Sequence, residues 1–268
     1  MRGLKGRTAI VTGGSRGIGK AIMRRLLEED VRVLFNGRNE EVGKQTLADM
    51  RKEFGTERVF FLQGDMSREQ TCINLVGKAM DVFGGQLDFL VNNAFPFTAK
   101  ALDATREDWI HTMEAGPIAY ATMIREYVKQ RGRKKGAIVN MSSISAHINQ
   151  KDRWTYNAAK GAVTMLTKCA ALDLSPEIRV NRISPAWVWT DEVAKAAVPG
   201  GREAWEPVWG KFHLNRRLTE PEEIGAAVAF LLSDDASSVM GSDLYADGGY
   251  LSMGPEGLNE TSNFAGSD

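Results

Sequence analysis

Thr8-Ala9-Ile10-Val11-Thr12-Gly13-Gly14-Ser15-Arg16-Gly17-Ile18-Gly19 is the stretch that decides the fold. A short β-rich run passes straight into a glycine loop, and an amphipathic stretch from about Lys20 to Glu29 follows. Strand, glycine loop and helix in immediate succession read as the phosphate-binding turn of a βαβ unit. Gly13 permits the tight turn, Gly17 lets backbone approach a pyrophosphate, and Gly19 lets the helix pack on the strand. The helix N-terminus adds amide donors and partial positive charge for phosphate, with Ser15, Arg16 and Ile18 in the same loop. The spacing is Gly-x-x-x-Gly-x-Gly, not the Gly-x-Gly-x-x-Gly of the standard dinucleotide fingerprint.

Outward from this loop, strand and helix patterns alternate. Strands are expected over Val31–Phe35, Arg58–Gln63, Leu87–Ala94, Ile138–Ser143, Ile178–Ser184 and Asp243–Ala246. Helices are expected over Asn39–Phe54, over Ser67–Phe83 with Ser67 as N-cap, and over Ala158–Leu174 with Tyr156 at its start. Pro221–Leu232 adds another, capped by Thr219 or Glu220. A further helix from Thr105 to about Arg131 must bend at Gly116-Pro117, because proline lacks an amide hydrogen and disfavours helical torsions before it. The alternation predicts an α/β fold: a doubly wound, Rossmann-type parallel sheet of about seven strands with helices on both faces. It forms one domain over residues 1–253, with a loose polar tail over 254–268.

Composition narrows the class. Lysine plus arginine equals aspartate plus glutamate at 34 each, which argues against a nucleic-acid or anionic-membrane surface. No apolar run approaches the roughly 20 residues of a membrane span, and Met1–Arg7 lacks a signal-peptide core. Cys72 and Cys169 alone, in 268 residues, point to reduced thiols and a cytoplasmic setting. His147 and His213 lack ligand-spaced partners, so no metal is expected.

Two places carry chemistry. At the end of the second strand, Asn36-Gly37-Arg38 offers no acid for a ribose 2′-hydroxyl. Arg38, with Arg16 nearby, suits the 2′-phosphate of NADP(H), since guanidinium makes charge-assisted bonds to phosphate. Further on, Tyr156 and Lys160 are four residues apart and share a helix face. An ammonium about 4 Å from a phenol, at an effective dielectric near 20, favours phenolate by roughly 4 kcal/mol. That is up to about three pKa units, enough to make the phenol a usable acid or base. A serine at the tip of the preceding strand could hold a substrate oxygen beside it.

Taken together these residues resemble the classical short-chain dehydrogenase/reductase family over about Gly6 to Leu251. The matches are Thr12-Gly13-x-x-x-Gly17-Ile18-Gly19, Asp65, Asn92-Asn93-Ala94, Ser143, Tyr156-x-x-x-Lys160, Asn181, Pro185 through Thr190, and Asp247-Gly248-Gly249. The interval of 13 from Ser143 to Tyr156 is the family's usual one and selects Ser143 over Ser142. The resemblance implies Tyr156 as general acid in reduction and base in oxidation. It implies that Lys160 holds the nicotinamide ribose and lowers the tyrosine pKa, and that Ser143 bonds the substrate carbonyl. Asp65 and Met66 would lie against adenine, Asn92 and Ala94 near the adenosine ribose, and Pro185, Val188 and Thr190 by the carboxamide. A homo-oligomer, dimer or tetramer, built on the helices near 105–130 and 154–174 is implied as well.

Three departures stand out. Phe95 replaces a glycine, Ala186 replaces a glycine after Pro185, and Gly116 stands seven residues after Trp109 where the family's tetrad has asparagine. In the family that asparagine's carbonyl holds a relay water behind the lysine. Because Gly116-Pro117 encodes its own helix irregularity, the same water is expected between Lys160 and the Gly116 carbonyl. A substrate lid is expected near 187–218, with Phe95, Trp154 and Trp187 toward an apolar, cyclic or aromatic carbonyl compound. The expected activity is an NADP(H)-dependent carbonyl reductase or alcohol dehydrogenase acting on a small molecule. The alternatives are a 3-oxoacyl thioester reductase, with an electropositive entrance near Lys151, Arg153, Lys211, Arg216 and Arg217, and a catalytically decayed NADP-binding regulatory protein.

Overall fold

Seven parallel strands form one sheet in the order β3-β2-β1-β4-β5-β6-β7. They are β1 (Thr8–Val11), β2 (Arg32–Gly37), β3 (Val59–Gln63), β4 (Phe89–Asn92), β5 (Gly136–Met141), β6 (Ile178–Pro185) and β7 (Asp243–Ala246). The structure, a computed structural model, describes residues 1–258, so the tail expected over 254–268 lies outside them from residue 259 onward. Residues 255–258 form a short 3₁₀ turn.

Strand side chains alternate between the two faces, as the period of two requires. Ala9 and Val11 join one apolar layer with Ile22, Leu26 and Val228, while Ile10 joins the other with Leu75, Met123 and Val180. Both faces are therefore covered, which explains why the strands read as continuous apolar runs. The first layer is formed by α1 (Gly17–Glu28), α2 (Glu40–Phe54) and α9 (Pro221–Leu232). Across the sheet lie α3 (Glu69–Val82), α5 (Ala119–Arg131) and α6 (Trp154–Leu174). The strand order reverses between β1 and β4, and such a switch point opens a crevice at the carboxyl ends of the strands.

Several boundaries differ from expectation, each for a local reason. Helix α1 begins at Gly17, not Lys20, because tertiary packing overrides glycine's poor helix propensity. Helix α3 begins at Glu69 and Ser67 does not cap it. The Asp65 carboxylate accepts the Ser67 amide at 2.9 Å, an Asx turn that takes Ser67 out of the helix. The helix expected over 105–131 is split into α4 (Arg106–Met113) and α5 by a single π turn, Glu114–Ile118. Gly116 leaves helical torsions there (φ −106°, ψ −111°), just before Pro117, so the irregularity falls where the sequence placed it. Glu220, not Thr219, caps α9, in a reciprocal pair with Glu223. Two short helices, α7 (Asp191–Ala196) and α8 (Gly201–Gly210), lie over the crevice within the segment read as a lid.

Candidate active site

The crevice contains a cavity of about 680 Å³ floored by the glycine loop. Gly13, Ser15, Arg16, Gly17, Ile18, Gly19, Arg38, Asp65, Met66, Ala94 and Thr190, all expected at a cofactor, line it. The loop is tightly specified. Gly13 and Gly17 have φ of +67° and +53°, and a Cβ at Gly19 would stand 2.1 Å from the Gly13 carbonyl oxygen. The Gly13 amide donates to Asn36 Oδ1 at 2.8 Å. Thr12 Oγ1 accepts the amides of Asn93 and Ala94 at 2.9 and 3.0 Å, lacing the ends of β1 and β4 together. Arg16 lies 3.5 Å from Glu192 of α7, whereas Arg38 is exposed beside the cavity. Burial works to raise the Asp65 carboxyl, but the bonds from Ser67 and the Arg38 charge outweigh it and hold it below its usual range.

Asn92 requires a correction. It is wholly buried and does not line the cavity; its amide donates to Asn140 Oδ1 at 2.9 Å. Asn140 in turn donates to Thr167 Oγ1 on α6 at 3.0 Å. Asn92 is thus a strut that ties β4 and β5 to α6, and Asn93 is the residue that reaches the cavity. Asn36 and Gly37, noted from the sequence at the end of the second strand, line it too, as does Gly64, which was not singled out. A scan for strand-end residues beside the glycine loop would have found it.

A second cavity of about 350 Å³ opens beside the first, and Ile18, Asn93, Phe95, Phe97, Thr190 and Glu192 line both. Ser143, Tyr156, Lys160, Pro185, Val188 and Trp187 meet in its wall. Each is positioned by local structure. Thr155, in the first turn of α6, donates to the Thr98 carbonyl at 2.5 Å and accepts the Lys100 amide at 3.1 Å, which fixes where Tyr156 emerges. One turn on, Lys160 is 2% exposed and donates to the Met141 carbonyl at the end of β5 at 2.9 Å. Ser143 Oγ donates to Ser145 Oγ at 3.1 Å, and Ser145 donates on to Gln150 at 2.5 Å.

The electrostatics differ from the sequence expectation. Burial pushes the Tyr156 phenol above its ordinary pKa, with the Ser143 hydroxyl and the Arg153 charge pulling the other way. Burial also lowers Lys160 to about 7. The pairwise argument from spacing omitted desolvation, which here dominates for both groups. With its pKa near 7, Lys160 carries only a fractional charge at neutral pH and cannot pull the phenol down as a full cation would.

The two large departures from the family pattern meet in space. The Phe95 ring lies under Lys160, its centroid 3.6 Å from Nζ, and edge-on to Tyr156 and Tyr120 at 5.5 and 6.2 Å. A Cβ added at Gly116 would come within 2.7 Å of Phe95 Cε2 and 2.9 Å of Cζ. Phe95 thus touches Lys160 on one side and packs against the bare Cα of Gly116 on the other. Phenylalanine at 95 and glycine at 116 are sterically complementary.

Over the smaller cavity, Trp187 stacks on Trp209 at 5.1 Å, and Trp205 packs on Trp209 at 5.0 Å. Trp154 is corrected: it is 52% exposed and lines neither cavity. Two residues before Tyr156, it sits roughly 200° away around the helix. The basic entrance is also reduced. Arg217 makes a two-point pair with Glu223 at 2.7 Å, and Arg216 donates to the carbonyls of Lys211 and Gly257 at 2.6 and 2.8 Å. Cys72 is buried and Cys169 exposed, both as free thiols. Among the described residues no helix is long and apolar enough to cross a membrane.

Comparison with known proteins agrees with this geometry. A family model described as enoyl-(acyl carrier protein) reductase matches residues 13–251. The cyclopentanol dehydrogenase of Comamonas testosteroni is 34% identical over 249 residues, covering 91% of this chain and 96% of that one. An NADP-dependent (R)-specific alcohol dehydrogenase of Lentilactobacillus kefiri is 32% identical, covering 93% and 98%. L-Sorbose reductase from Gluconobacter frateurii, solved with NADPH and L-sorbose, superposes with a TM-score of 0.87 at 28% identity, covering 93% and 98%. With a glycine loop at the switch point and serine, tyrosine and lysine gathered beside it, the chain belongs to the short-chain dehydrogenase/reductase family of oxidoreductases, which act on alcohols and carbonyls.

Proposed function

We propose that the protein is an NADP(H)-dependent carbonyl reductase or secondary-alcohol dehydrogenase. One observation carries the reading: Ser143, Tyr156 and Lys160 line a cavity continuous with a cleft whose β2 end bears Arg38 and no acid. The residues fit the cofactor. The glycine loop leaves backbone exposed to a pyrophosphate, and Gly37 opens the strand end, where a Cβ would meet Ser15 Oγ at 2.6 Å. Arg38 and Arg16 supply guanidinium groups for a 2′-phosphate, which suits them better than a bare hydroxyl. When bound, the dinucleotide supplies or accepts the hydride.

The protein's own groups do the rest. In reduction, Ser143 Oγ turns from Ser145 to the substrate's carbonyl oxygen, and Tyr156 donates its proton to that oxygen as it becomes an alkoxide. The raised phenol pKa keeps this proton in place until charge develops. Lys160 stands behind the tyrosine, anchored on Met141 and capped by Phe95, and its charged form favours phenolate after the transfer. With Arg216 and Arg217 engaged within the protein, the small-carbonyl reading is favoured over an acyl thioester. Exposed Met165 and Leu172 lie seven residues apart on one face of α6, and this supports a homo-oligomer joined through that helix.

The test is NADPH oxidation against a panel of ketones, quinones and acyl thioesters, run with wild type and Tyr156→Phe. The variant should bind NADPH almost normally and lose turnover by about 10²–10⁴-fold. Retention of more than about a tenth of wild-type kcat would remove Tyr156 from the acid's role. A wild type inactive on the whole panel, yet binding NADPH, would instead favour a regulatory protein.

A further inference from the structure

Most basic groups around the crevice already have acidic partners. Arg16 and Lys195 meet Glu192 at 3.5 and 2.9 Å, Arg202 meets Glu206 at 2.8 Å, Arg217 meets Glu223 at 2.7 Å, and Lys100 meets Asp108 at 3.0 Å. Arg153 differs. It is half-buried, lines the smaller cavity with Tyr156 and Ser143, and among the described residues its guanidinium has neither a carboxylate partner nor a hydrogen-bond acceptor. Two aromatic rings hold it instead: the guanidinium carbon lies 5.4 Å from the Phe97 centroid and 5.6 Å from that of Trp187.

Stacking of this kind occupies the faces of the guanidinium plane and leaves the in-plane N–H donors free at its edge. Those donors match the two oxygens of a carboxylate. Arg153 is the residue just before α6, three positions ahead of Tyr156; both line the same cavity, and the Arg153 charge is felt at the phenol. An anion held by Arg153 would thus sit within a few bonds of a carbonyl held by Tyr156 and Ser143. A single guanidinium, with Glu192 elsewhere on the same wall, suits one negative charge and not a phosphate dianion. Trp187, Trp209, Val193 and Ala196 give the same cavity an apolar stretch.

We propose that Arg153 is the anion subsite of the substrate pocket, and that the substrate is an oxo acid, or the matching hydroxy acid: a carbonyl compound with an apolar body and a carboxylate a few bonds from the reacting carbon. This rests on the reductase reading. Reduction adds hydride to the carbonyl carbon and the Tyr156 proton to its oxygen, and the carboxylate stays unchanged as the handle.

The experiment has a kinetic arm and a binding arm. In the first, NADPH oxidation is followed with benzoylpropionate and with its methyl ester, for wild type, Arg153→Gln and Arg153→Lys. The ratio of kcat/KM for acid over ester should exceed about tenfold in wild type, the lower end for a hydrogen bond to a charged group. It should fall close to one in Arg153→Gln and recover in part in Arg153→Lys. A merely structural role would lower both substrates together and leave the ratio unmoved. In the second arm, phenylbutyrate and phenylbutyramide, which have no reactive carbonyl, are titrated against tryptophan fluorescence. The acid should bind at least about tenfold tighter than the amide, and only while Arg153 is present. That arm reports on the subsite even if no ketone is turned over, so failure of the reductase reading and failure of the subsite are separable. Equal affinities for acid and amide, or a preference unchanged in Arg153→Gln, would overturn the proposal.

Discussion

Replacing Gly116 by asparagine, the residue the family's tetrad has there, should damage this protein. The structure supplies the magnitude. A Cβ at position 116 would lie 2.7 and 2.9 Å from two Phe95 ring carbons, so the ring must move. Overpacking of that kind costs about 1–3 kcal/mol. The displaced ring also leaves its place 3.6 Å beneath Lys160 Nζ, where a desolvated cation–π contact is worth about 2 kcal/mol for a full cation and about half that for a lysine held near 7. Gly116→Asn should therefore cost about 2–4 kcal/mol, and thermal unfolding should fall by roughly 4–16 °C at about 2–4 °C per kcal/mol for a domain of this size. Phe95→Gly should also destabilise, by loss of the ring's contacts. The double variant should lose less than the sum of the two, by at least about 1 kcal/mol, because the clash has gone. Urea unfolding of all four proteins completes the cycle. Additivity within about 0.5 kcal/mol would refute the complementarity of Phe95 and Gly116.

Other outcomes follow from the same geometry. Arg38→Ala should weaken NADPH by about 1.5–3 kcal/mol and NADH hardly at all in a fluorescence titration; equal losses would mean that Arg38 supports the fold. Lys160, held near 7 in the folded protein against 10.5 ordinarily, binds fewer protons folded than unfolded between those values, so wild-type stability should rise with pH across that window. Lys160→Met should flatten that rise: it removes a penalty of about 4 kcal/mol at pH 7 that fades toward pH 10.5, offset by about 1–3 kcal/mol for the orphaned Met141 carbonyl. Equal slopes in the two proteins would mean that Lys160 is not desolvated. Leu172, 79% exposed on α6, should be needed for assembly: Leu172→Glu should lower the mass seen by light scattering, and an unchanged mass would place any interface elsewhere.

The alternation of β-rich and amphipathic runs was legible because each element carries its own period. Tyr156 and Lys160 could be paired from spacing alone, since four residues on a helix fix a shared face. Asn92 was harder: β4 pairs with β5 so that Asn92 stands opposite Asn140, and only that register turns its side chain into the sheet instead of the cleft. Ser67 lost its capping role to an Asp65 bond that spacing could not rank. The desolvation of Lys160 was not legible, because sequence shows which charges are near each other but not how much water has been removed. Phe95 stood out as a departure, yet its direction, toward Gly116 and Lys160, depends on the turn after β4.

The segment that carries α7 and α8 leaves and rejoins the body at one rung. The Thr219 amide donates to the Trp187 carbonyl at 3.0 Å and the Trp189 amide donates to the Thr219 carbonyl at 2.9 Å, a parallel bridge between Val188 and Thr219. Everything from 190 to 218 is thus an excursion whose ends are already closed by the frame. Lengthening such a loop is thermodynamically mild, about 0.6 kcal/mol for each doubling, because closure entropy grows only with the logarithm of length. Evolution can therefore exchange the excursion wholesale, with its tryptophans and its share of the pocket wall, without touching β5 and α6, which position Ser143, Tyr156 and Lys160. Substrate range and chemical step are heritable separately in this architecture, and Thr219 is the seam between them.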